Sequence, residues 1–191
     1  MAALPKPALS EREYLELERA SEERHEYHDG AIVPMGGANK EYGRIVTSTS
    51  FSLFGQLRTR PCDVYSNDMR VRVSATGLYT YPDLLVVCGT PHFAAEHGDT
   101  LLNPTVIIEV SSPSTEGYDR GKGFQHYRAL LSLQEYLLIA QDAYDIDQFI
   151  RGTDGSWRLT EADGPTARLQ LPAIGCDLAL SDVYERVALG A

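Results

Sequence analysis

The chain has 191 residues, 43% of them hydrophobic, with a formal net charge of −10; this is one domain's length of ordinary globular composition, with apolar residues enough for a sizeable core. No run approaches the roughly 18 uninterrupted apolar residues of a membrane span, and Met1 to Glu18 lacks a secretory signal's apolar stretch, so a cytoplasmic protein with no membrane partner is expected. The acidic balance argues against a polyanionic partner, except that residues 40 to 72 hold six basic against three acidic side chains, while residues 1 to 30 and the chain after Gln141 carry the acid.

Ser10 with Glu13 three residues on fits a capping box and predicts an opening helix that ends before the turn His28-Asp29-Gly30. Ala31 to Met35 then reads as a short strand, with Pro34 favouring a sheet edge. Ile45, Val46, Leu53, Phe54 and Leu57 recur at mostly helical offsets and predict a second helix over 41 to 58. Asp63 to Tyr65 and Met69 to Val73 read as strands, the latter alternating apolar residues with arginine as a strand with one wet face does. Leu84 to Cys88 and Thr105 to Val110 are nearly continuous apolar runs, the pattern of strands buried on both faces at a sheet's centre. Phe124, Tyr127 and Leu131 predict a packed helix before the next apolar strand, Tyr136 to Ala140, giving a β-α-β unit with parallel strands. Short strands at 146 to 151 and 157 to 160 around Thr153-Asp154-Gly155, and a helix at 181 to 187, complete a single α/β domain over 1–191 with a mixed sheet flanked by helices. Cys62, Cys88 and Cys176 lie far apart without CxxC spacing, which suits reduced, mostly buried thiols.

Two carboxylates stand inside the apolar centre: Asp83, at the mouth of one buried strand, and Glu109, near the end of the next. A lone buried carboxylate costs several kcal/mol and two converging ones repel, so a divalent cation would resolve both problems. Mg²⁺ is commonly held by one or two carboxylates with waters and phosphate oxygens. The ordinary alternatives are a turn residue for Asp83 and an arginine partner for Glu109. Strand periodicity puts Glu109 on the face of Ile107 and Ser111, and Lys122 opens the following helix, near enough in the chain to stabilise developing charge. HExxH, phosphate-loop and Gly-x-Ser-x-Gly patterns are absent, which removes zinc-hydrolase, nucleotide-hydrolase and serine-hydrolase chemistry.

The run Tyr81-Pro82-Asp83-Leu84-Leu85-Val86-Val87, then Asn103-Pro104, Glu109-Val110-Ser111-Ser112-Pro113-Ser114-Thr115, Tyr118-Asp119-Arg120-Gly121 and Leu133-Gln134-Glu135-Tyr136 resembles the Uma2 family of endonucleases, from the His25-Glu26-Tyr27 segment to Cys176. That family is similar to the PD-(D/E)xK nucleases. The resemblance implies a restriction-endonuclease-like fold, a metal (Mg²⁺ or Mn²⁺) held by Asp83 and Glu109, an accessory carboxylate at Glu26 on the first helix, DNA as substrate, and a homodimer. The family's lysine falls at position 123, which here is Gly123. Lys122 stands one residue early, a swing of roughly 100° around a helix. A histidine is frequent in relatives where this chain has Tyr42, to which no role is assigned. Two readings therefore stay open: a metal-dependent endonuclease with Lys122 as electrostatic helper, and a nucleic-acid-binding or assembly protein that keeps the nuclease fold without turnover.

Overall fold

The computed structural model describes residues 8–37, 39–94 and 97–189. Helix α1 (Glu11–Ala20) begins with the expected capping box, in which Ser10 Oγ accepts from the Glu13 N–H and Glu13 accepts from the Ser10 N–H at 2.8 Å. It ends seven residues earlier than the sequence predicts. Buried Glu18 accepts the His25 N–H and bonds His25 Nδ1, each at 2.9 Å, which turns the chain back and leaves β1 (His25–His28) extended. Glu26 therefore sits on a strand rather than on the first helix. Asp29 and Gly30 both have positive φ, 50° and 80°, the requirement of a tight hairpin turn, and β2 (Ala31–Pro34) pairs back along β1 as an edge strand.

Helix α2 (Lys40–Leu57) follows, capped by Asn39. Then come β3 (Cys62–Ser66), β4 (Arg70–Val73), β5 (Leu78–Thr80), β6 (Leu84–Cys88), β7 (Thr100–Leu101) and β8 (Val106–Ser111). A helical stretch in three pieces leads to β9 (Glu135–Ala140): α3 (Glu116–Tyr118), a π-helical turn (Asp119–Gly123) and α4 (Phe124–Tyr127). The end of the described chain is β10 (Asp145–Arg151), β11 (Trp157–Asp163), β12 (Arg168–Leu171), β13 (Cys176–Ala179) and α5 (Leu180–Val183).

The largest sheet has the order β11-β10-β9-β8-β6-β3, with β8 and β9 parallel as the β-α-β unit requires and the other neighbours antiparallel. A second sheet, β2-β1-β5-β4-β7, and the β12-β13 hairpin pack with it. The fold is thus mixed α/β with mixed sheets flanked by helices. The two apolar runs are buried on both faces: Leu84, Val86, Ile108 and Val110 meet α2 and the β12-β13 hairpin, while Leu85, Val87 and Ile107 meet Phe124, Tyr127 and the second sheet.

Three expectations change. Leu131 is 88% exposed, because the helix stops at Tyr127 and Leu130 and Leu133 turn inward instead. The arginine face of β4 is not wet: Arg70 is buried against Tyr81 and Thr100 and pairs with Asp99 at 2.9 Å, and Arg72 reaches Glu11 on α1. Cys62 and Cys88, expected as reduced thiols, are register partners at the end of the β3–β6 ladder, 4.0 Å apart at Cα, and form a disulfide; Cys176 is a buried free thiol.

Candidate active site

The β6–β8 ladder ends on the pair Leu84 and Ile108, and one further step of the same register sets Asp83 opposite Glu109. Directly opposed residues of an antiparallel pair share a face. Pro82 has no N–H to extend the ladder, and the two acidic residues complete it through their side chains. The Asp83 N–H donates to Glu109 Oε2 at 3.1 Å, and the Val110 N–H donates to Asp83 Oδ2 at 2.7 Å. From α2 the Tyr42 hydroxyl donates to Asp83 Oδ1, and from α4 the Tyr127 hydroxyl donates to Glu109 Oε1 at 2.6 Å. Each of the four carboxylate oxygens thus accepts one bond and keeps a second lone pair. Both residues retain some solvent contact.

Burial raises the Asp83 carboxyl, against the lowering effect of bonds from Tyr42, Val110 and Glu109. Glu109 is pushed well above the usual carboxylate range, first by burial and then by the charges of Asp83 and Asp119. Both carboxyls are thus raised, Glu109 the more strongly because the charge of Asp83 adds to its burial.

Two more carboxylates face this pair. Burial, with the charges of Asp83 and Glu26, lifts Asp119 to about 6 against a bond from Thr115. Glu26 accepts from the Tyr118 hydroxyl at Oε1 and from Thr80 Oγ1 at 3.2 Å at Oε2. Beside it, on the same face of β1, the His28 ring meets that of His126 edge to face at 4.6 Å. Among the described residues, no lysine or arginine pairs within 4.0 Å with Glu26, Asp83, Glu109 or Asp119. Excess negative charge is concentrated here without a protein cation.

The fold brings Asp83 and Glu109 face to face and sets Glu26 near enough for its charge and that of Asp83 to act on Asp119; Lys122 stays at the margin. It is exposed and makes no ion pair among the described residues, and the charge it exerts falls on His126. The π-helical turn, whose bonds run to the fifth residue, sets buried Gly123 against Tyr118: a Cβ at 123 would lie 3.4 Å from the Tyr118 carbonyl oxygen and 3.5 Å from its ring. A side chain there would run along Tyr118, the residue that holds Glu26. Ser111 lines a neighbouring cleft of about 210 Å³ with Arg120 and buried Asp147, which are ion-paired. Sequence reasoning assigned nothing to Tyr42 and Asp119 and read Tyr127 only as a core residue. The sequence carried no signal for the two tyrosines, whose hydroxyls meet the carboxylates only where the helices dock on the sheet.

Comparison with known proteins places this geometry. The chain matches the model of the Uma2 family, described as "Putative restriction endonuclease", over residues 12–181. It is 35% identical over 184 residues to "Uncharacterized protein slr1290" of a Synechocystis strain, covering 96% of this chain and 95% of the relative, and 33% identical over 162 residues to "Uncharacterized protein sll1609" of the same organism, covering 85% and 92%. Its fold is similar to that of a "putative nuclease belonging to DUF820" from Anabaena variabilis, with a TM-score of 0.74 at 18% identity over 93% of this chain and 98% of the other. With the family's model spanning 12–181 and the motif carboxylates meeting at one end of the sheet, the chain belongs to the Uma2 family.

Proposed function

We propose that the chain is a divalent-cation-dependent nuclease that hydrolyses DNA phosphodiester bonds, with Asp83 and Glu109 as the metal ligands. The observation that supports this most is the facing pair itself: two largely buried carboxylates, fixed by tyrosines on two different helices, with no arginine or lysine to neutralise them among the described residues. No group of three or more His, Cys, Asp or Glu with metal-holding geometry occurs among the described residues. A two-carboxylate set of hard oxygen donors with free lone pairs suits Mg²⁺ or Mn²⁺, which take their remaining ligands from water and phosphate. Bound there, the cation would lower the pKa of a water and polarise the scissile phosphate.

The chain's own groups have distinct tasks in this reading. Tyr42 and Tyr127 fix the two carboxylates so that they need not reorganise when the substrate arrives. Glu26, aimed by Tyr118 and Thr80, is the accessory carboxylate that accepts a hydrogen bond from the attacking water. Asp119, with its pKa near 6, can take up a proton in the neutral range. Lys122 on its flexible stem is the electrostatic helper, which has to turn from solvent toward the phosphate. A second reading, a nucleic-acid-binding or assembly protein without turnover, is favoured by two observations: Gly123 leaves the inward position without a cation, and Lys122 is exposed to solvent. Incubation of single-stranded and duplex DNA with wild type and Asp83→Asn in Mg²⁺ or Mn²⁺ separates the readings. Cleavage by wild type alone supports the nuclease; binding without cleavage by either supports the second reading.

A further inference from the structure

A second feature of α2 lies away from the carboxylates. Residues 40, 43, 44, 47 and 48 recur at helical spacing on one face, while Tyr42, Ile45, Thr49 and Leu53 occupy the opposite one, where Tyr42 reaches Asp83. That first face, together with Glu185 and Arg186, bounds an open groove of about 420 Å³. Its charged lining is Lys40, Arg44 and Arg186 against Glu185, a local excess of positive charge on a chain of net charge −10. Gly43 leaves the floor open, with nothing within 4 Å of where its Cβ would be.

The groove is held in shape by its own backbone. Arg186 takes a φ of 60°, a left-handed conformation seldom seen in a residue with a side chain, and its carbonyl accepts from Arg44 Nη1 at 3.0 Å. Lys40 and Arg186 each have a glutamate neighbour, at 3.3 and 3.5 Å, in exposed pairs that are weak and yield to a better anion. Arg44 has no carboxylate partner among the described residues and keeps guanidinium donors for a bidentate anion. The ligand class that matches is a phosphate group. Elsewhere the acidic surface repels polyanions, so a cationic groove is where one can be accepted.

We propose that this groove is a phosphate-binding subsite that grips the substrate strand away from the cleavage point, an inference that rests on the nucleic-acid reading above. Groove and carboxylates lie on opposite faces of α2. A nucleic-acid strand carries a charge about every 3.4 Å along the axis, so a strand passing over the N-terminal end of α2 with one phosphate at the carboxylates presents another to Lys40 and Arg44 a few nucleotides on.

The test is fluorescence anisotropy of labelled single-stranded and duplex oligonucleotides in EDTA, where no cleavage competes, across a salt series. Lys40→Glu/Arg44→Glu is expected to weaken binding at least about tenfold and to flatten the slope of log K against log salt by about 1.4 to 1.8, the share of two phosphate contacts. Arg12→Glu/Arg158→Glu, the same charge change on exposed residues elsewhere, is expected to cost less than about threefold. Should thermal melting show the first variant unfolded, Lys40→Glu/Arg186→Glu takes its place. Inorganic phosphate supplies the other arm: a melting shift by phosphate that the groove variant loses, with no oligonucleotide binding by wild type, keeps the phosphate subsite and removes the strand from it. Binding of both ligands unchanged in the groove variant, equal losses in the control variant, or no binding of either ligand by wild type overturns the proposal. Oligonucleotide binding that depends on the groove in a protein that never cleaves leaves it standing and sinks only the nuclease reading.

Discussion

Replacing Asp83 by asparagine separates function from stability in one substitution. Asp83 and Glu109 face each other at the end of the β6–β8 ladder, the Asp83 N–H bonding Glu109 Oε2, and burial raises both carboxyls. Two unit charges roughly 4 Å apart at an effective dielectric constant near 20 repel by about 4 kcal/mol. Protonation of the raised pair relieves part of this, and about 2 kcal/mol is taken as what the substitution recovers near pH 7.5. Asparagine keeps most of the bonding: its Oδ1 accepts the Val110 N–H and its Nδ2 turns to the Tyr42 oxygen, while the half-buried Tyr42 hydroxyl loses its carboxylate acceptor and donates to water instead. Asp83→Asn is therefore expected to raise the melting temperature of the metal-free protein by roughly 4 to 8 °C, while abolishing both cleavage and the stabilisation that Mg²⁺ or Mn²⁺ gives wild type. Differential scanning fluorimetry in EDTA and in each cation reads both effects. A variant that melts below wild type in EDTA, and still gains the wild-type shift from Mn²⁺, would refute the repulsion argument and the ligand assignment together.

Lys122→Ala is expected to lower the cleavage rate roughly a hundredfold, about 3 kcal/mol, by analogy with the loss of one oriented donor; an unchanged single-turnover rate removes the helper role. If wild type is inactive, Gly123→Lys is expected to create metal-dependent cleavage, since a side chain at 123 runs along Tyr118 toward Glu26. Tyr127→Phe strips a buried bond from Glu109 and should cost about 1.5 kcal/mol of stability in denaturant titration; a variant as stable as wild type would show that the phenol does not hold the carboxylate. For pH, the folded protein binds more protons than the unfolded chain where Asp83, Glu109 and Asp119 are raised, Asp119 to about 6 from 3.8. The contribution of Asp119 is present below about pH 4 and is lost as pH rises through about 6, and Asp83 and Glu109 act in the same direction. The metal-free protein should accordingly melt higher at pH 5 than at pH 7.5, and saturating Mn²⁺ should reverse that order.

How much of this was legible in the sequence depended on whether a signal was local. The apolar runs at 84 to 88 and 105 to 110 and the capping box at Ser10 depend on spacing alone, and the structure has all three where they were expected. The end of α1 was not legible, because residues 21 to 27 have ordinary helix formers and what stops the helix is Glu18 folding back on His25. Likewise β5 and β7, only three and two residues long, carry too little pattern to read, and the pairing of Cys62 with Cys88 depends on a register that spacing does not encode. At the site, Asp83 and Glu109 stood out as charges in apolar runs. Tyr42 and Tyr127 did not, since each reads as ordinary helix packing until the helices are docked on the sheet.

Mn²⁺ binding followed by electron paramagnetic resonance, on wild type, Asp83→Asn and Glu109→Gln, tests the central claim without depending on turnover or on knowing the DNA substrate. The account predicts saturable binding by wild type and at least a tenfold loss of affinity in each variant, with both still folded by thermal melting. Equal Mn²⁺ affinity in all three proteins, or none in wild type, would contradict the assignment of Asp83 and Glu109 as the metal ligands.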